Sequence, residues 1–299
     1  MPHALNTLSA EEIDHFLNRG HVVIKNCFDR TFAAAWIDLA YQRLGYHPEK
    51  PATWAEPRVH LPSMNRVPIR ELAPKAWAAI CALTGGAERI AGEAPTWGDS
   101  FICNFNFCAD EPWQPPSAQV PGWHKDGDWF VHYLDGPEQG LLTIVVWSDI
   151  QPRSGGTFVA CDSVPIVAHH LRQHPEGLMP SQFGGLIEEC RDFAEITGEI
   201  GDVVLLHPFV LHAASQNPSG RPRFITNPCI SLKEPMNFNR ADSAEFSPIE
   251  RAVLQGLGFD RLDYRITGER RRLTPEREKR QQKMLAEQHK RLEATDARA

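Results

Sequence analysis

From Ser100 onward the chain stops reading as helix and reads as a run of short strands, and this change of texture constrains the fold most. Phe101–Phe107 alternates, with Ile102, Asn104 and Asn106 on one face and Phe101, Cys103, Phe105 and Phe107 on the other. Leu141–Trp147 has the composition of a buried strand. Gly156–Ala160, Ile200–Leu206 and Pro222–Ser231 complete the set, joined by turns rich in Gly, Pro, Asn and Ser. The strand–helix alternation that would build a parallel sheet is missing after residue 100. Short strands between turns predict an antiparallel barrel or sandwich, an all-β core.

Helices flank this core on both sides in sequence. Ser9 and Glu12 form a capping box, Leu8 and Ile13 a hydrophobic staple, and Ile13, Phe16 and Leu17 one apolar face of a helix ended by Gly20. A strand follows over His21–Lys25, then a helix over Phe32–Leu44 with Gly45 beyond its end. Pro48, Pro51, Pro57, Pro62 and Pro68 make the next stretch irregular, before a helix over Pro74–Leu83. Pro165–Gln173 is a further helix within the strand region. Beyond residue 232, Ser247 and Glu250 form another capping box around Pro248, and a last helix starts at Thr274-Pro275-Glu276 and runs to about Leu292. Its apolar content, Met284, Leu285 and Leu292, is too thin for a core helix. It is expected as a surface or partner-facing arm, a candidate homodimer contact.

Composition excludes several classes. With 42% hydrophobic residues the chain can bury a sizeable core, which rules out wholesale disorder. A net charge of −7 argues against a dedicated nucleic-acid binder. The charge is uneven: residues 268–299 hold ten Lys or Arg against six Asp or Glu, so the preceding part carries −11. Intermixed signs in that tail fit a solvated helix, and the tail is the one place an anionic partner could dock. The opening MPHALNTLSAEE has no leader-like pattern, and no apolar stretch approaches the ~18 residues of a membrane span. Seven cysteines without a C-x-x-C pair predict neither a disulfide framework nor a zinc ribbon. A soluble protein of a reducing compartment, cytoplasmic and without a membrane or nucleic-acid partner, is the expectation.

Two segments carry chemistry. In Gly122-Trp123-His124-Lys125-Asp126-Gly127-Asp128-Trp129, His124 and Asp126 stand two apart, so on an extended chain both leave the same face. An imidazole beside a carboxylate suits a divalent metal such as Fe(II), which two histidines and one carboxylate can hold with three positions open. The second segment, Gly201–Asn217, delivers His207 and His212 from an apolar strand and is followed by Arg221-Pro222-Arg223. A distal histidine with an arginine on the adjoining strand is what a site holding metal and a dicarboxylate needs, because guanidinium matches a carboxylate with two parallel donors.

Taken together, H-K-D, then G-D-V-V-L-L-H-P-F-V-L-H-A-A-S-Q-N, then R-P-R-F resembles the phytanoyl-CoA dioxygenase family of Fe(II)/2-oxoglutarate oxygenases. The resemblance spans Leu8–Ser231. It implies a double-stranded β-helix, the cupin-like jelly-roll, with flanking helices. It implies His124 and Asp126 as proximal iron ligands and His212 as the distal one. It also places Arg223 on 2-oxoglutarate, with Trp147 and, more weakly, Asn106 lining the co-substrate pocket. The activity implied is oxidation of a small molecule, with 2-oxoglutarate and O2 as co-substrates and succinate and CO2 released. Because the carboxylate at Asp126 is retained, hydroxylation, or desaturation or cyclisation, is preferred over halogenation. Since His124 and Arg223 must meet at one site, a single oxygenase domain over 1–299 is expected: 1–99 as helical flank with leading strands, 100–231 as jelly-roll core, and 232–299 as helical C-terminal arm.

Departures and alternatives remain open. Where many members carry a hydroxyl residue two after the distal histidine, this chain has Ala214, and Gly155–Val164 replaces the family's usual loop beside the substrate. His207 could rival His212, and Arg221 could rival Arg223. Lys125 and Asp128 could face solvent or substrate, and Trp123, Trp129, Phe130 and Tyr133 could be core or a cavity wall. His170 and His174 have metal-compatible spacing but no third ligand. Arg58, His60 and Arg270–Arg272 read as solvated groups or as an anchor for an anionic substrate. The competing functions are a metal-dependent jelly-roll oxygenase that does not use 2-oxoglutarate, and a non-catalytic jelly-roll binding or oligomerisation module. Substrate identity, reaction outcome and oligomeric state are not encoded legibly.

Overall fold

A computed structural model describes residues 8–296. Met1–Thr7, part of the stretch where no leader pattern is expected, and the last three residues of the basic tail lie outside the described residues. The N-terminal flank forms as its caps require. Helix α1 (Ala10–Arg19) opens on a complete Ser9–Glu12 capping box and closes on Gly20, whose φ of 70° lets the chain turn directly into strand β1 (His21–Ile24). Helix α2 (Arg30–Leu44) begins earlier than the apolar pattern suggests, because Asp29 accepts from the Thr31 N–H as N-cap.

The proline-rich excursion is not wholly irregular. It contains β2 (Arg58–His60) and β3 (Arg66–Pro68), followed by α3 (Ile69–Leu72), α4 (Pro74–Thr84) and β4 (Thr96–Gly98). Pro57 directly precedes β2, which pairs on one side only and so has no neighbour to miss the proline's absent N–H. Then come β5 (Ile102–Asn104), β6 (Leu141–Val146), β7 (Phe158–Ala160), α5 (Ser163–Gln173), β8 (Phe193–Glu195), β9 (Val203–Leu206), β10 (His212–Ala213), β11 (Arg223–Thr226) and β12 (Cys229–Ile230). Helices α6 (Pro248–Leu257) and α7 (Arg277–Asp296) end the described chain.

These strands make antiparallel sheets with flanking helices. The largest runs β1-β9-β6-β11-β5-β2, with β12 also on β6, a smaller one runs β10-β7-β8, and β3 pairs with β4 in a third. Pro222–Ser231, expected as one strand, divides at Asn227-Pro228 into β11 and β12, both still paired to β6. Residue parity decides what each face does. Phe224 packs edge-on against Tyr41, Phe101 and Phe105, while Trp147 stacks on Trp36 and meets Phe28 and Phe101, so these side chains join the large sheet to α2. The alternate residues Ile102, Leu142, Ile144, Arg223 and Ile225 line a cavity of about 680 Å³, whose opposite wall includes Phe158 and His212 of the smaller sheet.

The C-terminal segment is packed onto its own chain. The Leu273 N–H donates to the Trp129 carbonyl and Val131 N–H to the Arg271 carbonyl, bracing the loop that carries Asp126. Helix α7 lies on α2 through polar contacts. Gln288, fully buried, accepts from Arg43 Nε at 2.8 Å, and Arg291 donates to the Arg43 carbonyl. Arg43 in turn pairs with Asp99 at 3.0 Å, both side chains at most 1% exposed. The thin apolar content that reads as a surface or partner-facing arm reflects this largely polar attachment, to which Met284 adds a contact with the core. No helix among the described residues is long and apolar enough to cross a membrane, and all seven cysteines are free.

Candidate active site

His124 and His212 come together through the backbone. Each N–H donates to the other's carbonyl at 3.0 Å, an isolated antiparallel bridge that extends the small sheet beyond β10. Their rings sit 4.3 Å apart, centroid to centroid. Asp126, two residues on, leaves the same face as His124, and its Oδ1 lies 3.4 Å from His124 Nε2 and 3.5 Å from His212 Nε2. Three such donors around an ion with bonds of about 2.1 Å would sit roughly 3 Å apart, so only a small inward movement separates this group from a ligand set.

Hydrogen bonds fix which atoms are available. The Gly122 carbonyl lies 2.9 Å from His124 Nδ1 and the Val210 carbonyl 3.2 Å from His212 Nδ1, so each Nδ1–H donates and each Nε2 keeps its lone pair. Asn227 Nδ2 donates to Asp126 Oδ2 at 2.8 Å, leaving Oδ1 for the centre. Burial alone would raise the Asp126 carboxyl, but the two imidazoles beside it hold it well below the usual carboxylate range. Among the described residues, these three form the group of His, Cys, Asp and Glu side chains able to hold a metal ion. The site fits Fe(II): two nitrogens, one carboxylate oxygen and an open cavity on the remaining side.

Arg223 is 2% exposed and lines the same cavity. Its Nε donates to the Gly155 carbonyl at 2.7 Å and its Nη1 to the Ile102 carbonyl at 2.9 Å. No carboxylate pairs with it among the described residues. Burial pushes its guanidinium down to about 10, which still leaves it charged at neutral pH. A buried cation without a counter-charge is costly, so the cavity is built to receive an anion. Gly155 allows the approach: its φ is +81°, and a Cβ there would fall 2.8 Å from the Asn104 side chain.

The other candidates separate cleanly. His207 donates to the Ile249 carbonyl and accepts from Phe209 N–H inside the core, away from the triad. Arg221 is exposed, one turn of the chain before β11 begins. Trp147 does not reach the cavity: parity turns it to the α2 side, where Nε1 donates to Thr226 Oγ1. Asn106 is exposed in a turn after β5, because that strand ends at Asn104, and it does not line the cavity either. His174 pairs with Glu176 instead of forming a metal group with His170.

Lys125 is buried in the cavity wall rather than facing solvent. Alternation sends it away from the triad, where Nζ donates to His132 Nδ1 at 2.8 Å and Gln139 Oε1 at 3.3 Å among Phe130, Phe183 and Phe209. Burial pushes its ammonium down to about 7. Asp128 pairs with Arg277 at the start of α7, and Trp129 is part of the cavity wall while Trp123, Phe130 and Tyr133 are buried around it. Sequence reading missed Asn227 and Arg277. Asn227 was accessible in principle, since it shares parity with Arg223 and Ile225, whereas Arg277 reaches the cavity only through the packing of α7.

No family model matches this chain, and no curated protein does. Several solved structures are similar to it. The non-heme alpha ketoglutarate dependent carbocyclase SnoK from nogalamycin biosynthesis is 14% identical, with TM-score 0.42, over 77% of this chain and 85% of that one. AviO1 from Streptomyces viridochromogenes Tue57 is 15% identical, with TM-score 0.46, over 76% and 95%. HygX from Streptomyces hygroscopicus, with nickel and 2-oxoglutarate bound, is 13% identical, with TM-score 0.44, over 76% and 88%. At these values the functional reading rests on the site alone. What fold and site define is an antiparallel β protein with flanking helices, its cavity carrying a His-Asp-His group and an unpaired buried arginine.

Proposed function

We propose that this protein is an Fe(II)- and 2-oxoglutarate-dependent oxygenase acting on a small molecule, its strands forming a double-stranded β-helix around the site. The observation that carries the reading is one cavity holding both a three-donor metal group and Arg223, a buried guanidinium lacking any carboxylate of its own. His124, Asp126 and His212 would hold the iron, and Arg223 would bind the far carboxylate of 2-oxoglutarate with two parallel donors. Iron bound there with 2-oxoglutarate and O2 supplies oxidising chemistry, with succinate and CO2 as co-products.

The chain's own contribution is arrangement. Gly122 and Val210 orient the two imidazoles, Asn227 holds Asp126 Oδ2, and Gly155 with Ile102 aims Arg223. Ile102, Leu142, Ile144, Ile225 and Trp129 keep the walls apolar, which strengthens each charge interaction inside. Retention of a carboxylate at position 126 favours hydroxylation, or desaturation or cyclisation, over transfer of a halide. The test is anaerobic Fe(II) titration: a weak visible charge-transfer band should appear only after 2-oxoglutarate is added. A band that ignores 2-oxoglutarate would leave a metal-dependent oxygenase of another kind.

A further inference from the structure

Two arginines project into this cavity from one row of the large sheet. Strand β5 sits between β2 and β11, with Asn104 opposite Arg58 on one side and opposite Arg223 on the other. The next row is His60, Ile102 and Ile225. Arg58 and Arg223 therefore stand two strands apart on the same face, about 10 Å between their backbones. Both line the cavity, and so does His60.

Arg58 is arranged for a ligand. Its guanidinium carbon lies 5.0 Å from the Phe107 ring centroid, so stacking holds one face of the planar group. Among the described residues it has neither a side-chain hydrogen bond nor an ion pair. The cavity's carboxylates are otherwise engaged: Asp126 with the imidazoles and Asn227, and Asp128 with Arg277. Glu111 lines the rim but does not pair with Arg58. The same cavity is lined in part by the apolar side chains of Ile102, Phe107, Ile144 and Ile225. Arg58 and His60 are both exposed at the cavity wall, and partial desolvation with the positive charges of Arg58, Arg223, Arg277 and Arg280 pushes His60 down to about 4.

We infer that the substrate is a small molecule with an apolar body and one anionic group, a carboxylate or phosphate, which Arg58 binds at the opposite end of the cavity row from the 2-oxoglutarate clamp. This rests on the reading of Arg223 given above. A ligand so held spans the apolar stretch and presents its hydrocarbon part toward His124, Asp126 and His212.

The probes are 3-phenylpropionate and its neutral amide, titrated calorimetrically in the presence of Mn(II) and saturating 2-oxoglutarate, which fills the Arg223 subsite, into wild-type protein and into Arg58→Ala, Arg58→Gln and Arg223→Gln variants. In wild type and Arg223→Gln the acid should bind roughly 10- to 100-fold more tightly than the amide, the value of a charge-assisted contact. In both Arg58 variants the two should bind alike. Equal binding of acid and amide in wild type, or no binding of the acid, overturns the proposal. So does a preference that survives in the Arg58 variants, or one lost in Arg223→Gln, which would put the anion on the other arginine. The Fe(II)–2-oxoglutarate band, recorded on the same wild-type preparation, reports separately on the assignment of Arg223.

Discussion

His124 and His212 exchange backbone hydrogen bonds at 3.0 Å in both directions, so the metal group is part of a β-ladder instead of an assembly of loose side chains. Bringing these two residues together fixes the spacing of the proposed ligand set through the fold itself. Affinity for the ion then depends on small contacts that orient each donor.

Asn227 is the most exposed of these to experiment. Among the described residues it is the one side chain that donates to Asp126 Oδ2. Asn227→Ala should weaken Fe(II) or Mn(II) binding about 10- to 100-fold while leaving the fold intact. Asp126→Ala should abolish metal-dependent turnover altogether. Metal titration checks both, and unchanged affinity in Asp126→Ala would remove it from the ligand set.

Arg223→Gln separates metal from co-substrate. Fe(II) alone should bind as in wild type, whereas half-saturation by 2-oxoglutarate should rise roughly 10- to 100-fold, the cost of losing a charge-assisted pair. Steady-state CO2 release against 2-oxoglutarate concentration gives the answer. An unchanged requirement would place the clamp elsewhere in the cavity.

Stability should depend on a site far from the chemistry. Arg43 and Asp99 are buried together, and Gln288 accepts from the same guanidinium. Arg43→Ala removes the counter-charge of Asp99, which keeps its hydrogen bonds from Met64 and Asn65, and should cost about 3–5 kcal/mol. Gln288→Ala leaves only one donor unsatisfied and should cost about 1–3 kcal/mol. Urea unfolding followed by tryptophan fluorescence ranks the two.

His207 should leave a signature in acid. Burial, with Lys125 as a further positive neighbour, pushes it from 6.5 down to about 3 against the opposing pull of the Ile249 carbonyl. Between those values the unfolded chain binds a proton that the folded chain refuses, so stability falls as pH drops from 6.5 toward 3. His207→Gln should flatten that part of the profile relative to wild type. Parallel slopes in urea unfolding at pH 4, 5 and 6 would contradict the assignment.

Much of this was legible from local pattern. Capping residues gave α1 and α6, and parity placed Ile102 and Cys103 on opposite faces of β5. The triad was legible because two motifs converge on one chemistry. Trp147 and Asn106 were misplaced for different reasons. Parity turned the indole toward Trp36, and β5 ended two residues too early to carry Asn106 inward. Arg43, Asp99 and Gln288 gave no local signal at all, since three polar residues distant in sequence identify one another only once packed.

The order of the elements along the chain has a consequence for how the cavity comes into being. Arg277 and Gln281 of α7 line it, and α7 follows every strand and every other helix described here. A chain emerging from the ribosome can therefore assemble its sheets, and with them the triad, while one side of the cavity is still unbuilt. Until α7 docks on α2, newly made protein presents these residues through a wider opening than the finished molecule, in which His124 still stays half-exposed.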